Sequence, residues 1–95
     1  MENIYKPVPP LLPLESFSEC FSWPSKISFV LFSIREGTAE EIAAEIVELE
    51  GVASEDGVSE IQHTVKEMLE KLYALGKITR REESGTRKYS LIPNN

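Results

Sequence analysis

Cysteine occurs once in this chain, at Cys20, and histidine once, at His63. A single cysteine cannot close an internal disulfide; it suits a reducing compartment, where such a residue is most often a small apolar packing group. One His and one Cys do not make up a set of zinc ligands. The GVASEDGV stretch over residues 51–58 carries Glu55 and Asp56 but lacks the alternating oxygen ligands and closing Glu of a calcium loop. There is no Gly-rich phosphate loop and no Ser-His-Asp arrangement beyond chance, so neither an enzyme nor a cofactor is expected. Long apolar runs are missing as well: VPPLLPL is short and broken by prolines, and Met1-Glu2-Asn3 lacks the positive charge of a signal peptide. These absences together point to a cytoplasmic protein.

Positive charge is scarce. Ten Lys and Arg face 16 Asp and Glu, a net charge of −6. The 95 residues suffice for one domain with one small core, and 41% hydrophobic content is ordinary for a globular chain. The scarce bases are unevenly placed. Residues 1–50 hold nine acids and three bases, whereas residues 51–95 hold seven of each, and five of the ten bases fall within GKITRREESGTRKYSL at 76–91. There Lys77, Arg80, Arg81, Arg87 and Lys88 outweigh Glu82 and Glu83, so the segment is locally positive.

Residues 1–22 read as a Pro-rich arm and 23–95 as the folded domain. Pro7, Pro9, Pro10 and Pro13 fix φ and remove backbone donors, which favours an extended path. No base sits at the spacing that proline-binding modules use, and Leu11, Leu12, Leu14, Phe17 and Phe21 call for burial. The arm is therefore expected to lie along its own domain or a second subunit.

Three helices follow in the pattern. Ser22 or Ser25 caps the first, with Pro24 tolerated in its opening turn. Over 26–36, Ile27, Val30, Leu31 and Ile34 form a core stripe that Gly37 is expected to end. Phe29 and Phe32 fall off the stripe, and two rings left in water would be sticky enough to demand a cover, either the arm or a second copy in a homodimer. Thr38-Ala39-Glu40-Glu41 is a capping box opening a second helix to about Leu49, with Ile42, Ala43, Ile46, Val47 and Leu49 inward. Its Glu40, Glu41, Glu45 and Glu48 read as a solvated face rather than a catalytic or metal-binding set. After the 51–58 connection, Ser59-x-x-Gln62 looks like another box, opening a third helix over 59–75 with Ile61, Val65, Met68, Leu69, Leu72 and Leu75 inward. Taking Ile61 as the centre of the buried direction, its outward face is His63, Lys66, Glu67, Glu70 and Ala74.

Two short strands, about 77–82 and 87–92, flank a loop containing Ser84-Gly85. A symmetric loop pairs Ile78 with Leu91 and Arg80 with Tyr89 on one face, and Arg81 with Lys88 on the other. A three-residue loop would change that register. Opposed like charges weaken a hairpin, so either Glu82 and Glu83 relieve the repulsion or an anion is brought to it. The fold class is thus mainly α with a small antiparallel β-hairpin.

Helix, helix, helix, hairpin, with Leu69-x-x-Leu72-x-x-x-Gly76-x-Ile78-x-Arg80 running into Gly85-x-Arg87-x-Tyr89-x-Leu91, resembles the winged helix-turn-helix domain of many small bacterial repressors. The similarity spans roughly residues 26–92. It implies a DNA-binding transcriptional regulator whose third helix enters a major groove by its N-terminal end while the hairpin, as wing, contacts flanking phosphates. The residues it points to are Ser59, Gln62, His63, Thr64 and Lys66 on the helix and Arg80, Arg81, Arg87 and Lys88 on the wing. Gln62 can read adenine, and Lys66 guanine or phosphate.

Two departures favour an alternative, a winged-helix protein-interaction module without DNA binding. The outward face of the third helix carries two carboxylates, and the 51–58 connection is longer than a minimal helix-turn-helix turn. An acidic DNA mimic is a third reading, against which the positive hairpin counts; solvated bases guarding a strand edge are the plainest account of that hairpin. The net charge does not exclude DNA, because a five-residue strand carries the tip roughly 16 Å from its base. That is about two screening lengths of roughly 8 Å at physiological salt.

Overall fold

The computed structural model describes residues 22–92. The arm, with Cys20 and the apolar residues Leu11 to Phe21, lies outside the described residues. Three helices and a three-stranded antiparallel sheet follow one another as α1 Trp23–Ile34, β1 Glu36–Gly37, α2 Ala39–Glu50, α3 Glu55–Ala74, β2 Ile78–Glu83 and β3 Thr86–Leu91. This mainly α architecture with a small antiparallel sheet is compatible with a winged-helix shape. Among the described residues no helix is long and apolar enough to cross a membrane.

The Ser22 hydroxyl caps α1, accepting from the Ser25 amide at 3.3 Å, so the helix opens before Pro24 rather than after it. Its end also differs from expectation. Arg35, not Gly37, leaves the helical region, with φ 75° and ψ −51°, and its amide still donates to the Leu31 carbonyl at 2.8 Å. Gly37 has a different task. It lies in β1 opposite Tyr89, and a Cβ there would come within 2.7 Å of Ile34 Cδ1. Gly37 thus leaves room for the end of the Ile34 side chain and does not serve as the helix stop.

The capping box of α2 forms as the sequence indicates: the Thr38 amide donates to Glu41 Oε1 at 2.9 Å and the Glu41 amide to Thr38 Oγ1 at 3.1 Å. Its far end closes with the Gly51 amide on the Glu48 carbonyl and the Val52 amide on Val47. Thr38→Ala is expected to cost about 1 kcal/mol. For a domain of this size a thermal melt should register that as a midpoint lower by roughly 4–8 °C.

The third helix starts a full turn earlier than its Ser59-x-x-Gln62 pattern suggests. Ser54 is the cap, accepting from the Gly57 amide at 3.1 Å, and Glu55 and Asp56 occupy the first turn, where negative charge suits the helix dipole. A Cβ at Gly57 would meet Val52 Cγ1 at 2.7 Å and Ser54 Oγ at 2.9 Å, so a larger residue there would have to displace one of them. The glycine lets the connection press against the helix it feeds. In consequence the link between α2 and α3 shrinks to residues 51–54, within the range of a helix-turn-helix.

Each element contributes to one core: Ile27, Val30 and Leu31 from α1; Ile42, Ala43 and Ile46 from α2; Ile61, Val65, Leu69 and Leu72 from α3; Ile78 and Tyr89 from the sheet. Two expected core positions are instead exposed, Leu49 in the last turn of α2 and Leu75. Leu75 follows the i, i+3 spacing from Leu72, but the helix ends at Ala74, and Ile78 takes the buried place one step later. Off the α1 stripe, Phe32 is 59% exposed while Phe29 is half-buried.

The hairpin has the expected register, with Ile78 opposite Leu91, Arg80 opposite Tyr89 and Arg81 opposite Lys88. Its two-residue loop, Ser84 at φ 52° and Gly85 at φ 79°, has the two positive φ values whose twist matches the flanking strands. The two-residue strand β1 was not foreseen. It pairs with β3, so the sheet order is β1-β3-β2 and β3 is central.

Candidate nucleic-acid interface

The first half of α3 presents most of its candidate residues together. Ser59, Gln62, His63 and Lys66 line one open hollow against Ala39 and Glu40 at the start of α2. All four are exposed, and no ion-pair partner to Lys66 is found among the described residues. Thr64 is not part of this group. A half-buried residue, it lines a separate depression with Trp23, Glu50, Val52, Gly57, Glu60 and Ile61 on the other side of the helix.

Lys66 also belongs to a second hollow, of about 430 Å³, that runs from the start of α2 to the hairpin tip. There Thr38, Ala39 and Glu40 stand on one side and Gly85, Thr86 and Arg87 on the other, with Glu70 and Tyr89 contributing to the lining. One face of the molecule therefore unites the exposed start of α3, the first residues of α2 and the end of the hairpin. Its charge is mixed: Lys66 and Arg87 share it with Glu40, and His63 Nε2 sits 3.2 Å from Glu67 Oε2.

The four wing candidates, Arg80, Arg81, Arg87 and Lys88, are all engaged by carboxylates. Arg81 holds Glu36 in a two-pronged contact, Nε to Oε2 at 2.9 Å and Nη2 to Oε1 at 2.7 Å, and its Nη1 lies 3.2 Å from Glu83. Glu83 also reaches Lys88, more loosely, at 3.8 Å. The opposed Arg81 and Lys88 thus share a carboxylate, which settles how the hairpin tolerates them: Glu83 and the unforeseen Glu36 relieve the repulsion, whereas Glu82 is occupied by Arg87 Nε at 2.9 Å.

Arg80 is the least exposed of the four. Its Nη1 donates to both oxygens of Glu70, at 3.1 and 3.4 Å, and its guanidinium lies 4.1 Å from the centre of the Tyr73 ring. Packed this way, it ties the hairpin to α3 rather than standing ready for a phosphate. Glu70 is correspondingly not the free outward acid that helix geometry alone implies. It accepts from the Tyr89 hydroxyl as well, and Arg87 Nη1 lies 3.5 Å away.

These contacts move the titrations in consistent directions. The Tyr89 hydroxyl bond, aided by Arg80 and Arg87, holds Glu70 below the ordinary carboxylate range despite the opposing effect of burial. Burial first, then the Glu70 carboxylate, pushes Tyr89 up. Arg81 holds Glu36 down and is itself raised by it, while Arg87 is raised chiefly by Glu82. Sequence reading found the bases and missed Glu36, Glu70 and Tyr73 as their partners. No short-range pattern could have linked Arg81 to Glu36, which lies 45 residues away.

Among the described residues no group of three or more His, Cys, Asp or Glu is placed to hold a metal ion. Compared with known proteins, the chain matches no family model, no curated protein and no solved structure.

Proposed function

We propose that the chain is a winged-helix DNA-binding protein and a small transcriptional regulator, with α3 entering the major groove and the hairpin acting as a wing on flanking phosphates. The observation that carries this reading is the shared face on which Ser59, Gln62, His63 and Lys66 adjoin the hairpin tip, with Lys66 common to both hollows. The four-residue link between α2 and α3 supports it, as does the pairing of the Glu70 carboxylate with Arg80, Arg87 and Tyr89. Thr64 drops out of the contact set and Arg80 becomes a support. Gln62, His63, Lys66, Arg81, Arg87 and Lys88 remain as the contacts, with Ser59 at their edge.

A second reading, a protein-interaction module, is favoured by one specific observation: Arg80, Arg81, Arg87 and Lys88 already have carboxylate partners. Exposed ion pairs contribute little to stability, so phosphate oxygens can replace those carboxylates. The displaced acids stay nearby, however, and binding by one domain is weak. Two copies on one duplex supply the affinity that a specific regulator needs.

Titrating the isotope-labelled chain with a mixed-sequence duplex at about 50 mM salt tests the choice. DNA binding shifts amides within 59–66 and 80–88, and log affinity falls against log salt with a slope shallower than the roughly −3.6 expected of four unencumbered bases. Shifts confined to other surfaces, or none at all, overturn the DNA reading in favour of a protein partner.

A further inference from the structure

We propose that Glu70 is a positioning residue, the latch that fixes the angle of the hairpin against α3. Its carboxylate gathers donors from two levels of the hairpin: Arg80 and the Tyr89 hydroxyl, which stand opposite each other on the paired strands, and Arg87 nearer the tip. One turn along the same helix, the Tyr73 ring supports the Arg80 guanidinium. Apart from this cluster, the hairpin is tied to the body by Ile78, Tyr89 and Leu91 at the core, by the two-residue pairing with β1 and by the Arg81–Glu36 contact. Those contacts secure the root and the middle of the hairpin. The tip, at Ser84-Gly85, extends beyond them, and Arg87 is the residue next to it that reaches back to the helix.

The angle matters because Arg87 and Lys66 line the same hollow from opposite sides. Swinging the hairpin alters their separation, and with it the spacing of anionic groups the pair can hold. Only this last step rests on the DNA reading; the latch itself does not. Tyr89 adds precision. Its ring is 3% exposed and fixed in the core, so its hydroxyl offers Glu70 a donor at a set position. A charged acceptor between two guanidiniums and a phenol makes hydrogen bonds stronger than neutral ones.

The test uses residual dipolar couplings of the full chain. An alignment tensor fitted to the three helices predicts the couplings of amides 81–87 if the hairpin keeps its angle. In Glu70→Gln, which keeps the shape and loses the charge, and in Glu70→Ala, those couplings should depart from the helix-fitted values while the helices fit as before. Glu67→Gln, which removes an exposed acid from the same helix face, should leave them unchanged. Tyr89→Phe should produce a smaller departure than Glu70→Ala.

Hairpin couplings that still fit the helix tensor in Glu70→Gln would overturn the latch, whatever happens with DNA. Affinity for a mixed-sequence duplex supplies the second readout. On charge alone, removing either acid strengthens binding, by up to about tenfold per charge at 50 mM salt. The latch predicts that Glu70→Gln gains less than Glu67→Gln even though it removes a carboxylate partner from both Arg80 and Arg87, the latter keeping Glu82. An unchanged wild-type spectrum on adding duplex would sink the DNA reading and leave the couplings to decide the latch.

Discussion

Leu69→Ala is expected to bring the domain close to unfolding at ambient temperature. Leu69 is fully buried in the second half of α3, where the helix meets the rest of the single core. Truncating a buried leucine to alanine costs about 2–5 kcal/mol, because the transfer energy of the lost carbons is compounded by the cavity left behind. A domain this size has only about 0.05–0.15 kcal/mol per residue to lose. At roughly 4–8 °C per kcal/mol, a thermal melt followed by helix circular dichroism should show the midpoint falling by about 8 °C or more. Leu75→Ala is the control. The residue is 65% exposed at the helix end, and its truncation should stay within about 0.5 kcal/mol of the parent. Equal losses for the two variants would refute the placement of the core and the early end of α3.

The comparison of Leu69 with Leu75 also indicates how far the sequence could be read. Periodicity locates a buried face well inside a helix, where the geometry is uniform. It fails where the helix stops, since the next i, i+3 position no longer lies over the same stripe. Leu49 is exposed too, although it still lies within the last turn of α2. Capping signals were ambiguous in a different way. Ser54 and Ser59 are both sound candidates by residue type, and it is the Ser54 hydroxyl that accepts from the amide three residues on. The hairpin was legible in its two strands, but its register stayed conditional on the loop length until Ser84-Gly85 proved to be a two-residue turn, with each strand one residue off its expected bounds. The candidate interface was legible in its bases and not in its acids. Glu36 meets Arg81 through β1, a strand of two residues too short to leave a pattern, and Glu70 meets Arg87 across 17 residues of chain.

Removing the partner acids Glu36 and Glu83 should convert a weak DNA-binding surface into a strong one. In the native chain Arg81 lies in a two-pronged contact with Glu36, and Glu83 bridges Arg81 and Lys88, so both bases already hold the kind of oxygen that a phosphate would offer. Glu36 is held below the ordinary carboxylate range by Arg81. A lowered folded-state value means that its contribution to stability is complete above that range and lost only as pH falls through the lowered value. Neutral solution therefore always presents DNA with the charged acid, and mild acidification cannot stand in for mutation. Glu36→Gln combined with Glu83→Gln removes two negative charges and leaves two bases free. Each additional phosphate contact steepens the log–log salt slope by about 0.9, which at 50 mM salt amounts to roughly tenfold per contact and about a hundredfold for the pair. Fluorescence anisotropy with a labelled duplex over a salt series measures both quantities. A protein-interaction module makes the opposite forecast, because its surface has no use for the released bases and the double variant would bind duplex no better than the parent. Gain in affinity together with a steeper slope is the joint signature of phosphate contact; a gain at unchanged slope would place the added binding elsewhere than on Arg81 and Lys88.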